Sequence, residues 1–167
     1  MKHFLRFSLL IVTVLMAPAS FSQNVMINAL TQNSGVVKKD GTVFFEVTIN
    51  NTSATYSIAA YKLKPQISFP ATIVAVPATG HNLPKGWSIL SNNNGVLTLS
   101  NGEDAIPANE SRTILIAVQG KAIGGPSSVI ANLSFSNGIA PGSAAGAAPA
   151  GDNMADNAST STIRVIK

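Results

Sequence analysis

The chain has no cysteine. That removes thiolate metal centres, cysteine nucleophiles, redox dithiols and disulfide braces, and with them the lipidated cysteine that anchors bacterial lipoproteins. Histidine is almost as scarce, with only His3 and His81. A paired-histidine zinc motif such as H-E-x-x-H is therefore excluded. A Ser-His-Asp triad would have to use His81 in ATGHNLPKG, with no G-x-S-x-G elbow to present the serine. Aromatic residues make up 6% of the chain, which gives a glycosidase cleft little to build its walls from, although such chemistry also needs two carboxylates held across that cleft.

One short hydrophobic run is present, at the start. In MKHFLRFSLLIVTVLMAPASFSQ, Lys2 and Arg6 precede an apolar stretch from Phe7 to Met16, and small residues follow at Ser20 and Ser22. This pattern predicts a cleaved signal peptide over residues 1–22, because the run is too short to span a bilayer. The mature chain would begin at Gln23, and removing 22 residues from 167 leaves 145, the size of one domain. No later run is long enough to cross a membrane, so the expectation is an exported protein of the periplasm, cell surface or medium. Losing Lys2 and Arg6 leaves nine basic residues against seven acidic ones. A net +2 scattered along the chain is no nucleic-acid footprint.

The mature sequence is dominated by a period of two. In TVFFEVTI, Val43, Phe45, Val47 and Ile49 fall on one face and Thr42, Phe44, Glu46 and Thr48 on the other, as in a half-buried strand. RTILIAVQ repeats the pattern with Ile114, Ile116 and Val118, and SSVIANLSFS with Val129, Ala131, Leu133 and Phe135. Shorter signals in NVMINAL, TYSIAAYKL, ISFPATIVAV, WSIL, VLTLS and STIRVI complete the set. Tyr56 and Tyr61 would share one strand and face opposite sides of it. Between these segments stand turn residues: Lys39-Asp40-Gly41, Asn50-Asn51-Thr52, Asn92-Asn93-Asn94-Gly95, Asn101-Gly102 and Gly124-Gly125-Pro126. The asparagines before Gly95 signal a hairpin. No helical period is sustained, and many short strands with regular turns predict an all-β sandwich. GIAPGSAAGAAPAG, residues 138–151, has little to bury and predicts a long flexible loop.

Four stretches carry a family resemblance: GTVFFEVTINNTS, LPKGWSIL, IPANESRTILIAVQG and GDNMADNASTSTIRV. In that order they are similar to the immunoglobulin-like repeat of bacterial surface proteins catalogued as domain of unknown function 11. The chain departs from the family pattern in lacking a glycine after Asn50-Asn51, in carrying Asn109 where the family has glycine, and in the Ala/Gly insertion. The resemblance implies an immunoglobulin-like antiparallel β-sandwich of about 7–9 strands over residues 23–167. It also implies an adhesive or structural envelope role with no shared catalytic residue.

Three groups of residues are candidates for a site. Trp87 is either an aromatic platform for a sugar ring or a plug at the edge of the core, and His81 is either its neighbour in a binding loop or an exposed loop residue. Glu103 and Asp104 read as solvated turn acids. Asp152, Asn153 and Asp156 suggest calcium, but an EF-hand loop starting at Asp152 is excluded because its third, sixth and twelfth positions are Met154, Asn157 and Ile163. An irregular calcium site could still draw on those three side chains, with Glu103 or Asp104 from elsewhere. The competing reading is a turn capped by its own Asp and Asn side chains. The expected function is a secreted, non-catalytic structural or adhesive module whose partners are envelope proteins or further copies joined by exchange of STIRVIK. The alternative is a carbohydrate- or protein-binding module using loops at one end of the sandwich.

Overall fold

A computed structural model describes residues 24–138 and 140–167; the expected signal peptide, residues 1–22, and its cleavage point lie outside the described residues. Ten strands follow in order: β1 (Val25–Thr31), β2 (Val36–Lys38), β3 (Thr42–Asn51), β4 (Leu63–Ser68), β5 (Val74–Ala75), β6 (Ser88–Asn93), β7 (Val96–Ser100), β8 (Ser111–Gly120), β9 (Gly124–Phe135) and β10 (Ala158–Ile166). Among the described residues the helical content is two single 3₁₀ turns, Asn33–Gly35 and Met154–Asp156. A four-stranded sheet ordered β1-β3-β8-β5 packs on a six-stranded sheet ordered β2-β10-β9-β4-β7-β6. The all-β sandwich is the expected fold.

The period-two residues fill the space between the sheets. Val47, Ile49, Ile114, Ile116 and Val118 are fully buried on the first sheet, and Ile67, Leu97, Leu99, Val129 and Ile163 on the second. Phe45 meets Phe69 edge to face, with ring centroids 5.2 Å apart. Each such side chain contributes about 1.5–3 kcal/mol of transfer free energy, and with no disulfide present this core carries the stability. The Asn94-Gly95 turn joins β6 to β7, with φ of 50° and 78°. Both values lie in the left-handed region that a two-residue hairpin of this hand requires.

The strand count exceeds the expected seven to nine because the N-terminal strand splits. After β1 the chain passes through Asn33, Ser34 and Gly35, all at positive φ, crosses to the other sheet and runs as β2 parallel to β10. Gly35 is required there, since a Cβ would overlap the Thr162 carbonyl oxygen. The sandwich is therefore antiparallel except at this pair and the neighbouring Lys39–Gly120 bridge.

Three local expectations are corrected. TYSIAAYKL is not a strand: Ile58 alone bridges Ile106 before β4 begins at Leu63, and Tyr61 sits at φ 59°. Tyr56 and Tyr61 consequently do not share a strand. ISFPATIVAV breaks at Pro70, whose carbonyl accepts from Ile73 and Val74 in a tight turn, and its two halves enter different sheets as β4 and β5. Gly124-Gly125-Pro126 belongs to the start of β9 rather than to a turn. The 138–151 segment has one bridge, Ser136 to Ala145. It is tied to the end of β9 by Asn137 N–H to Ala144 O and Gly146 N–H to Phe135 O, both 3.0 Å, and Ala148 packs on the core.

Candidate functional site

His81 lies in the loop that follows β5, against β8. Asn82 exchanges both backbone hydrogen bonds with Leu115, at 2.8 and 2.9 Å. One residue earlier, His81 Nδ1 accepts the Ala117 N–H at 3.1 Å, while Nε2 stands 2.9 Å from the Pro77 carbonyl. An amide N–H can only donate, so Nδ1 holds a lone pair and the ring proton sits on Nε2, pointing at Pro77. Both nitrogens have backbone partners. His81 is thus half-buried and structural, which corrects its reading as an exposed loop residue and leaves no free nitrogen for a ligand or a base.

Trp87 is 7% exposed and belongs to the core cluster. Its ring cannot serve as a sugar platform, because stacking needs an open face. The indole Nε1–H instead donates to Asp104 Oδ2 at 2.7 Å. Asp104 also receives Arg112 on both oxygens, Nε to Oδ2 at 2.8 Å and Nη2 to Oδ1 at 3.1 Å, and Arg112 Nη1 reaches Glu110 at 2.9 Å. The hydrogen bonds from Asp104 and then Glu110 raise the Arg112 pKa above its ordinary value, so the guanidinium stays charged at every accessible pH. Glu103 remains exposed beside Gly86 in a hollow lined by Lys85, Gly86, Glu103 and Asp104. Asp104 is therefore an anchor of the Trp87 and Arg112 side chains, not the solvated turn acid expected.

The stretch GDNMADN closes the seam between the first and last strands. Asp152 Oδ1 accepts the Val25 N–H at 2.9 Å, and Oδ2 accepts Asn157 Nδ2 at 2.6 Å. Asp156 Oδ2 accepts Asn24 Nδ2 at 3.0 Å and Asn153 Nδ2 at 3.3 Å. Asn153 caps the 3₁₀ turn through Ala155 N–H, and its own N–H donates to Asn24 Oδ1 at 2.9 Å. Farther along the seam, Ser159 Oγ accepts the Ala29 N–H at 3.1 Å and Ser161 Oγ lies 2.7 Å from Thr31 Oγ1. Asp152, Asn153 and Asp156 are thus brought together as expected, in a clasp between segments far apart in sequence. Glu103 and Asp104 do not join it. Among the described residues no three His, Cys, Asp or Glu side chains gather as around a metal ion.

Sequence reasoning passed over the polar side chains that matter most. Asn51 is 1% exposed; its Nδ2 donates to the carbonyls of Tyr56, Ile106 and Pro107 at 2.8–3.0 Å. Asn101 is fully buried, receiving Leu63 N–H and donating to Ala59 and Asp104 carbonyls. The sequence did hold a signal for them. Asn51 continues the inward phase of Val47 and Ile49, Asn101 that of Leu97 and Leu99, Arg112 that of Ile114, and Asn157, Ser159 and Ser161 that of Ile163 and Val165. A polar residue on the inward phase at a strand end is one whose partners the fold must supply.

No family model matches the chain, and no curated protein matches it. Solved structures with a similar fold include a non-cellulosomal cohesin from the archaeon Archaeoglobus fulgidus, 11% identical over 86% of this chain and 92% of that one, with a TM-score of 0.50. An uncharacterized protein from Nocardia farcinica with an immunoglobulin-like fold is 17% identical over 83% of this chain and 97% of that one, also with a TM-score of 0.50. At these identities the likeness is one of fold: the chain is an immunoglobulin-like β-sandwich.

Proposed function

We propose that the chain is an exported, non-catalytic structural or adhesive module of the cell envelope, working by contact with other proteins. The observation that carries the reading is the commitment of its chemistry-bearing side chains to the fold. His81, Asp104, Arg112, Asp152 and Asp156 each hold strands or loops together, and Trp87 is in the core. The alternative of ligand capture by end loops loses Trp87 and His81 as contact residues for the same reason. The leader-like N-terminus and the resemblance to surface repeats support the address. Among the described residues no helix is long and apolar enough to cross a membrane.

Strand exchange is a less direct route to assembly than the sequence suggests. β10 pairs with β9 and β2 of its own chain, and releasing it requires the clasp to open. Fractionation of cells producing the full chain, followed by size analysis, tests the proposal. The expected result is recovery in the envelope or surface fraction in a complex larger than one chain. Free release as a monomer would overturn it.

A further inference from the structure

Two oxygens of the clasp lack a donor. Asp156 Oδ1 and Asn157 Oδ1 are buried and accept no hydrogen bond from any group of the protein. Buried acceptors in this condition mark a bound water or ion. Asn157 is 5% exposed, and turning its amide over does not satisfy it. Its Nδ2 donates to Asp152 Oδ2 at 2.6 Å, so exchanging oxygen and nitrogen would press two acceptors together. Asp156 has both of its donors, Asn24 and Asn153, on the other carboxylate oxygen.

The electrostatics of the corner point the same way. Asp152 and Asp156 bring two negative charges, and their partners are neutral amides; the ion pairs among the described residues involve neither of them. Two unpaired acceptors beside uncompensated carboxylates call for a cation. The donor set is entirely oxygen, one carboxylate and one amide carbonyl, which suits a hard ion of flexible coordination rather than zinc or a strictly octahedral magnesium.

We propose that the clasp binds one calcium ion, with Asp156 Oδ1 and Asn157 Oδ1 as protein ligands and water completing the shell. The ion neutralises the corner and locks the turn that delivers β10 to the edge of β1. This inference stands apart from the question of what the module contacts in the envelope. The requirement for only two protein ligands places the affinity in the weak range of extracellular modules, about 10⁻⁴–10⁻³ M.

The test is thermal melting of the full chain, freed of divalent ions with EDTA, across a calcium chloride titration to about 10 mM. Saturable stabilisation of about 5 °C is expected, with a much smaller response to magnesium chloride. Asp156→Asn should abolish the response, and Asp40→Asn, exposed and in a separate turn, should retain it. Amide NMR of the wild-type chain provides the second measurement, with calcium-dependent shifts expected at residues 24–25 and 152–158. Melting indifferent to calcium, which would mean an ordered water only, overturns the proposal. An undiminished response in Asp156→Asn, or shifts confined to another region, does so equally.

Discussion

The carboxylate of Asp152 takes the backbone N–H of Val25 at 2.9 Å, across a sequence separation of 127 residues. Val25 opens the first strand and Asp152 precedes the last, so one hydrogen bond joins the two ends of the fold. Asp152→Ala removes this acceptor and strands the Asn157 amide as well. The expected loss is about 2–4 kcal/mol in urea unfolding, with faster hydrogen exchange at Val25. Asp152→Asn should recover only part of it, since the new amide nitrogen either faces the Val25 donor or the Asn157 donor.

Trp87 gives a two-step series. Trp87→Phe keeps an aromatic ring in the core but deletes the hydrogen bond to Asp104; a cost of about 1.5–3 kcal/mol is expected for a bond to a charged acceptor. Trp87→Ala adds a cavity and should cost about 3–5 kcal/mol. The lone tryptophan should emit at short wavelength in the folded protein and shift to the red on unfolding, which makes the same residue the probe of the measurement.

Ring-nitrogen NMR of His81 should show a neutral imidazole protonated at Nε2, with Nδ1 as acceptor. His81→Phe fills the space but leaves the Ala117 N–H without a partner, at an expected cost of about 1–3 kcal/mol. The loss of protection should be concentrated at Ala117, Leu115 and Asn82. A spectrum showing the proton on Nδ1 would contradict the arrangement.

Asn51→Asp is a change of one atom with a large expected effect. The nitrogen that donates to three carbonyls becomes an oxygen that repels them, inside a site 1% exposed. Destabilisation of at least about 3 kcal/mol is expected by denaturant unfolding. Asn51→Ser, smaller but still able to donate, should be milder.

The strands were legible wherever one face is buried, because burial imposes the period of two; β3, β8 and β9 follow Val43–Ile49, Ile114–Val118 and Val129–Phe135 as read. Legibility failed where long-range partners override the local pattern. Residues 55–62 have strand-like alternation, yet the carbonyl of Tyr56 is captured by Asn51 and the Ile58 backbone by Ile106. The split of the first strand was also hidden, since the crossing depends on Gly35 meeting the Thr162 carbonyl, a contact no local window contains. Asn109 was readable in part: it stands where the related repeats have glycine, and it adopts φ 58°, a conformation asparagine tolerates better than most residues. The candidate side chains were correctly singled out as unusual, but the sequence could not show that their partners were other strands and not a ligand.

The parallel course of the first and last strands has a mechanical consequence. β1 and β2 lead from the Asn24 end of the sandwich toward the Lys39 end, and β10 runs the same way beside them. A pull through the segments before Asn24 and after Ile166 would slide these strands past one another in opposite senses. The load would fall on the β2–β10 ladder, the serine seam and the Asp152 clasp together, so that they shear as a group instead of opening one bond at a time. A module tethered by both ends in a surface under tension would hold in its strongest direction.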